Sequence, residues 1–169
     1  MTYTHLDEFL ADWAYESSAT QKVLDNLTDG SLGQKVSENG RTLGFIGWHI
    51  TETVGEMMSK TGLKVFSPDL ESGHWNTASA ASLQECYKNA SESLVEKMKA
   101  EWSDDTLKIE DDMYGEKWKR GTTLSILIGH QAHHRGQMTV LMRQAGLKVP
   151  GFYGPSYEEW QAMGMEPMK

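Results

Sequence analysis

Apolar residues recur at three- and four-residue steps along four long stretches of this chain, and each stretch predicts an amphipathic helix. The first runs from about Thr4 to Leu27, and the second runs from about Thr42 to Lys60. The third begins between Thr77 and Ser82 and ends near Glu101, and the fourth runs from Thr122 or Thr123 to Gly146. Four long helices without a sustained strand pattern predict an all-α fold, specifically a four-helix bundle.

Polar and turn-forming residues mark the predicted helix ends. Thr4 followed by Asp7 predicts an N-terminal cap for the first helix, and Ser82 with Glu85 resembles a capping box for the third. Gly146 is well placed to end the fourth helix.

Two segments lie outside the long helices. Between Leu107 and Arg120 the helical period is lost, and the pattern around Tyr114 allows a small hairpin. The C-terminal tail is rich in Pro and Gly over residues 149–155, and Ser156–Glu159 then matches the capping box of one short helix. We expect the tail aromatics to pack on the bundle or on a partner subunit; they are Phe152, Tyr153 and Trp160.

Three histidines occupy positions on two predicted helices that suit a metal site. His130 and His134 are four residues apart on the core-facing stripe of the fourth helix, so their imidazoles point the same way. His49 lies at the edge of the apolar stripe of the second helix. A buried imidazole needs partners for both nitrogens, and a metal ion satisfies two such residues at once. The alternative is that each is an ordinary buried histidine bonded to a neighbouring group.

Several roles are open to the other polar residues near these histidines. His133 projects away from the core centre and is expected to flank the site or to lie at the surface. Glu52 is a candidate fourth ligand, an acceptor for His49 or a general base, and a solvated helix face is the alternative. The fourth helix carries no acidic residue near its histidines, which disfavours a di-iron site. His5 and His74 are expected to face solvent.

Composition narrows the classes of partner. The chain of 169 residues predicts one domain covering residues 1–169. Its 24 acidic and 16 basic residues give a net charge of -8, which disfavours a nucleic-acid partner. No stretch is apolar enough to predict a membrane span. The single cysteine, Cys86, excludes an intrachain disulfide and favours a buried thiol in a cytoplasmic protein.

The histidine segments also resemble those of the DinB-like family of four-helix bundles, also called YfiT-type. The resemblance rests on the segments 42–50 and 130–137, the latter reading His-Gln-Ala-His-His-Arg-Gly-Gln, and on the tail segment 150–155. It implies a bundle that holds one divalent metal ion, zinc or nickel, through His49, His130 and His134, and it implies a homodimer.

The same resemblance suggests several activities. Some relatives are S-transferases or isomerases that activate a low-molecular-weight thiol such as bacillithiol or mycothiol. A metal-dependent thiol S-transferase acting on such a thiol and an electrophilic small molecule is therefore the leading hypothesis. A metal-dependent hydrolase and a non-catalytic metal-binding stress-response protein are the alternatives, and no catalytic residue is identified.

Overall fold

The computed structural model describes residues 2–69 and 79–167 of the chain. Helices account for most of these residues, and one hairpin of two short strands interrupts them. The elements in chain order are α1 (Leu6–Asp25), α2 (Leu43–Lys60), α3 (Ala80–Glu101), β1 (Glu110–Met113), β2 (Glu116–Lys119), α4 (Arg120–Gln144) and α5 (Tyr157–Ala162). This confirms the predicted all-α fold.

The four long helices form the bundle around one apolar core. Helices α1 and α2 each pack against both α3 and α4, which places α1 and α2 at opposite corners. Every long helix contributes side chains with no exposed surface, including Phe9, Trp13, Ile50, Met58, Leu83, Leu94, Leu124, Leu127 and Met138. Within the described ranges, no helix is long and apolar enough to cross a bilayer.

Local sequence sets several of the helix ends. The Thr42 side chain accepts a hydrogen bond from the Phe45 N–H at 3.1 Å and caps α2. At the end of α4, Gly146 adopts φ +74°, and the Leu147 N–H donates to the Met142 carbonyl at 2.9 Å. This is the Schellman arrangement, so the predicted role of Gly146 is confirmed. The predicted capping box of Ser156–Glu159 is also present, at the start of α5.

The predicted cap of α1 was wrong because a distant residue supplies it. Helix α1 begins at Leu6, and Thr4 makes no cap. The Asp104 carboxylate, from the segment after α3, accepts the Leu6 N–H at 2.8 Å and also lies 2.9 Å from His5. The helix ends at Asp25, two residues before the predicted end.

Helix α3 begins at Ala80, within the predicted range of Thr77 to Ser82, but its cap and the start of α4 differ from expectation. The cap of α3 is Ser79, which accepts the Ser82 N–H at 3.1 Å, so the capping box predicted at Ser82 was wrong. Asp29 supplies a further carboxylate to the Ala80 N–H at 2.7 Å. Helix α4 begins at Arg120 rather than at Thr122 or Thr123, because strand β2 passes directly into the helix.

The hairpin between α3 and α4 is present as the sequence pattern allowed. Strands β1 and β2 pair antiparallel, and Tyr114 and Gly115 form the two-residue turn between them. Strand β1 packs against α2, so the hairpin lies beside the helix that carries His49.

Candidate metal centre

The structure brings the three predicted histidines together in one cluster. His49 comes from α2, whereas His130 and His134 lie one turn apart on α4. The distances between ring centroids are 5.0 Å for His49 and His130, 4.8 Å for His49 and His134, and 4.4 Å for His130 and His134. One nitrogen from each ring lies within 4.8 Å of the others. The cluster therefore has the donor set of a three-histidine metal site. Two nitrogens bound about 2.0–2.1 Å from one ion are at most about 4.2 Å apart, so a pair at the full 4.8 Å would have to close slightly around an ion.

The hydrogen-bond partners favour one tautomer for each histidine of the α4 pair. The Gln137 Oε1 lies 2.8 Å from His134 Nδ1, so this Nδ1 is the protonated one and donates. The Thr53 hydroxyl donates its proton to the Ile50 carbonyl at 3.1 Å and lies 3.4 Å from His130 Nδ1. Because the hydroxyl proton is already used, His130 Nδ1 donates to Thr53.

With both protons on Nδ1, the two Nε2 atoms are the nitrogens left to bind a metal ion. His130 Nε2 and His134 Nε2 are 3.1 Å apart, a distance at which one ring can also donate to the other if its Nε2 carries the proton. In the tautomer with both protons on Nδ1, a cation between the two Nε2 atoms removes the repulsion of their lone pairs. Two nitrogens bound about 2.0–2.1 Å from one ion lie about 3–3.4 Å apart at angles from square to tetrahedral, so the observed spacing fits a bound metal.

The environment keeps all three histidines neutral, which is the protonation state that binds metal. Burial lowers the pKa of His130 to about 4, with further contributions from His134 and His49. Burial is also the main reason that the pKa values of His49 and His134 are lowered.

A cavity of about 370 Å³ opens in front of the cluster. Apolar, acidic and hydroxyl side chains line it together with two of the histidines; the lining residues are His49, Glu52, Thr53, Glu56, Met57, Tyr114, Ile126 and His130. Glu52 therefore lies in the wall of the cavity and is not among the clustered ligand atoms. A small ligand in this cavity would reach the histidines directly.

His133, His5 and Cys86 lie outside the group of three clustered histidines. His133 is exposed, its Nε2 accepts from the Gln137 amide at 3.1 Å, and its ring lies edge-on to that of His134 at 4.8 Å between centroids. The side chain of His5 is 63% exposed and pairs with Asp104. His74 lies outside the described residues. Cys86 on α3 is half-buried rather than fully buried.

Sequence reasoning missed two buried polar residues on α4, Gln131 and Arg135, which are 0% exposed. The Gln131 Oε1 accepts from the Tyr87 hydroxyl at 3.0 Å, and its amide donates to the Ile50 carbonyl at 3.0 Å. It therefore links α3 and α2 behind the histidines.

Arg135 forms a buried ion pair with α1. Its Nη2 lies 2.6 Å from Glu16 Oε2, and the Tyr153 hydroxyl contacts both side chains. The ring of Phe152 stacks on the guanidinium at 4.8 Å. The sequence does contain an indication of this pair. Glu16 lies three residues after Trp13, at a position of the α1 stripe where an apolar residue would be expected.

These contacts dock only part of the C-terminal tail. Phe152 and Trp160 are half-buried, whereas Tyr153 is 68% exposed and reaches the bundle through its hydroxyl. The predicted packing of the tail on the bundle is therefore observed mainly at Phe152.

Known proteins resemble the chain along its whole length. The profile described as DinB family matches residues 1–168. A Bacillus subtilis (strain 168) protein named "Uncharacterized protein YrdA" is 44% identical over 164 residues, covering 97% of both chains.

Two solved structures show the same architecture. The crystal structure of a DinB-like protein from Bacillus cereus ATCC 10987 is 41% identical with a TM-score of 0.81, covering 89% of this chain and 99% of that one. A second DinB-like protein, YjoA from Bacillus subtilis, is 17% identical with a TM-score of 0.68, covering 88% of this chain and 98% of its own. The second likeness concerns the fold alone.

Proposed function

Because the chain belongs to the DinB family, we propose that it is a metal-dependent enzyme of the thiol S-transferase type. One divalent ion, zinc or nickel, would be held by His49, His130 and His134. The observation that carries the metal site is the pair of Nε2 atoms of His130 and His134, 3.1 Å apart and beside the His49 ring. The reaction class is supported by the family resemblance and by the cavity in front of the histidines.

The protein's own groups would hold and orient the ion. Thr53 and Gln137 accept the Nδ1 protons of His130 and His134, which directs both Nε2 lone pairs towards one point. Three histidine ligands would leave room for water or substrate on the ion, and the cavity reaches two of the three, His49 and His130. A divalent ion bound there would supply a Lewis acid that lowers the pKa of a coordinating thiol.

The cavity suits a small thiol rather than a macromolecule. Its volume of about 370 Å³ lies near the lower end of small-molecule sites, which span about 300–1,000 Å³. The Glu52 side chain, in the cavity wall, is our candidate acceptor for the proton released by the thiol. The open cavity also favours catalysis over a purely metal-holding role.

Metal analysis tests the site. We expect protein purified without chelators to contain about one zinc or nickel ion per chain. The His130→Ala/His134→Ala double variant should contain none, since the two ligands on one helix turn are lost. His133→Ala is the matched control, because it removes an exposed histidine from the same turn and should retain the metal. Equal metal content in the wild type and the double variant would refute the site.

An activity assay tests the reaction class. Protein stripped of metal and reloaded with zinc or nickel should conjugate bacillithiol or another small thiol to monochlorobimane, while the stripped protein should not. Hydrolysis of an ester, amide or phosphoester panel by the reloaded protein, without any conjugation, would instead support the hydrolase alternative.

A further inference from the structure

The tip of the hairpin reaches the cavity in front of the histidines. Tyr114, the first residue of the turn between β1 and β2, lines this cavity together with His49 and His130. Strand β1 packs against α2, which carries His49 and the two cavity glutamates. The hairpin therefore presents one aromatic side chain to the candidate metal centre.

The backbone at this position does not favour tyrosine. Tyr114 has φ +58° and Gly115 has φ +87°, as in a type I′ turn. Asn, Asp and Gly are preferred there because a bulky side chain is strained in the left-handed region. Backbone strain of this kind clusters at functional sites. The contacts of the Tyr114 side chain therefore bear on function.

Those contacts join Tyr114 to Glu56. The Tyr114 hydroxyl donates to Glu56 Oε2 at 2.6 Å. Burial and this hydrogen bond raise the pKa of Tyr114, so the phenol keeps its proton at neutral pH. Because the proton is committed to Glu56, the phenol oxygen has lone pairs free to accept from a ligand.

The pair already accommodates a positive group of the chain itself. The Lys60 ammonium lies 3.4 Å from Glu56 Oε1 and 4.7 Å from the centroid of the Tyr114 ring. An ammonium thus finds both a carboxylate and an aromatic face here. A carboxylate of a ligand would instead lie beside the carboxylates of Glu52 and Glu56, of which Glu56 is paired with Lys60.

We propose that Tyr114 and Glu56 together determine the specificity of the cavity by accepting hydrogen bonds from an ammonium or amide N–H group of the ligand. The other end of this small molecule coordinates the ion at the three histidines, so the inference rests on the proposed metal site. The ligand class is a compact metal-binding molecule that carries a nitrogen donor and lacks an anionic group at that end.

Binding of three hydroxamates to cobalt-loaded protein tests this inference without any enzymatic assay. Acetohydroxamate carries no further polar group, β-alanine hydroxamate adds an ammonium, and succinate monohydroxamate adds a carboxylate. Dissociation constants come from the change in the visible cobalt absorption. We expect the ammonium probe to bind roughly tenfold or more tightly than acetohydroxamate, as a hydrogen bond to a charged group allows, and the carboxylate probe to bind most weakly.

Variants of the pair should remove this preference. In Tyr114→Phe and in Glu56→Gln, the affinity ratio between the ammonium probe and acetohydroxamate should fall, because the ammonium probe loses a hydrogen bond that acetohydroxamate does not make. Tyr15→Phe is the control, since it removes an exposed hydroxyl on α1 and should leave the ratio unchanged. Tyr114→Asn should lose the preference without a lower melting temperature, because Asn suits the turn.

Three results would overturn the inference. A ratio that is unchanged or raised in either Tyr114→Phe or Glu56→Gln would remove that residue from the proposed pair. Tightest binding of the carboxylate probe to the wild type would contradict the ligand class. Wild-type protein that binds no cobalt would refute the metal site and this inference together, and that outcome is distinct from an altered preference in cobalt-loaded protein.

Discussion

At the scale of single residues, the properties of the histidine cluster depend on groups that do not touch the ion position. Thr53 and Gln137 fix the protonated nitrogen of His130 and His134, so that two lone pairs converge. Such supporting contacts orient the ring and raise the basicity of the ligand nitrogen. Metal affinity should therefore be sensitive to residues outside the three histidines.

Gln137→Leu should weaken zinc binding by about 10–100-fold, because His134 Nδ1 loses its acceptor. Competition with a chromophoric zinc chelator measures this affinity. Gln144→Leu provides the control, since Gln144 is also exposed on α4 but lies away from the histidines. Equal losses in both variants would point to a general effect on α4 rather than to the contact with His134.

Breaking the buried ion pair of Arg135 and Glu16 should cost stability without removing the metal. Arg135→Met leaves a buried carboxylate with its charge uncompensated, and the free energy of unfolding should fall by about 3–5 kcal/mol. In the double variant Glu16→Leu/Arg135→Met, most of this loss should be recovered because no buried charge remains.

Urea unfolding measures both changes, and a surface pair gives the comparison. Lys88→Met, which breaks the exposed contact with Glu92, should change stability by less than about 1 kcal/mol. If the double variant were as unstable as Arg135→Met alone, the cost would come from lost packing rather than from the unpaired charge.

At the scale of elements, helix α4 combines local preferences with contacts from distant segments. Gly146 caps its C-terminal end, as the local sequence predicts. Its N-terminal turn instead lies against the first residues of the chain. There the Tyr3 N–H donates to the Gly121 carbonyl at 3.1 Å. Glycines along the same helix consequently have different functions in the fold.

Substitution of two α4 glycines by alanine should have opposite effects on stability. A Cβ at Gly129 would meet no atom within 4 Å, so Gly129→Ala should stabilise the protein by about 0.5–1 kcal/mol through the higher helix propensity of alanine. A Cβ at Gly121 would clash with the Tyr3 carbonyl oxygen, and Gly121→Ala should destabilise by about 1–3 kcal/mol. Thermal and urea unfolding measure both; destabilisation by Gly129→Ala would show that this face of α4 is covered in solution.

At the scale of the whole molecule, the histidine cluster joins two neighbouring helices that are far apart in the sequence. It connects α2 to α4, and the polar network of Gln131 and Arg135 connects α4 to the other long helices. A ligand that binds only the folded arrangement stabilises it by mass action. Metal occupancy and global stability should therefore be linked.

Removal of metal by a chelator should lower the unfolding midpoint. With free zinc at 100 times its dissociation constant, the stabilisation is about 2.7 kcal/mol. The His130→Ala/His134→Ala variant should unfold at the same midpoint with and without chelator. Calorimetry makes this comparison, and an equal shift in wild type and variant would indicate that the chelator acts elsewhere.

Local patterns were sufficient to predict the helices and the histidine cluster. The three- and four-residue periods placed all four long helices, and the spacing of His130 and His134 put both rings on one face. Periodicity succeeds here because it reports the direction of each side chain around its own helix axis. The same period predicted that His49 lies at the edge of the core-facing stripe of α2. Its proposed role as a metal ligand rested on the family resemblance.

Contacts between distant segments decided the rest. Asp104 caps α1 across the fold, Glu16 finds Arg135, and the Tyr114 side chain reaches the cavity beside His49. A sequence period carries no information about which element packs opposite a given face, so these partners follow only from how the helices and the hairpin assemble. The position of the histidines was thus encoded locally, whereas the cavity before them and its specificity-determining wall arise from tertiary packing.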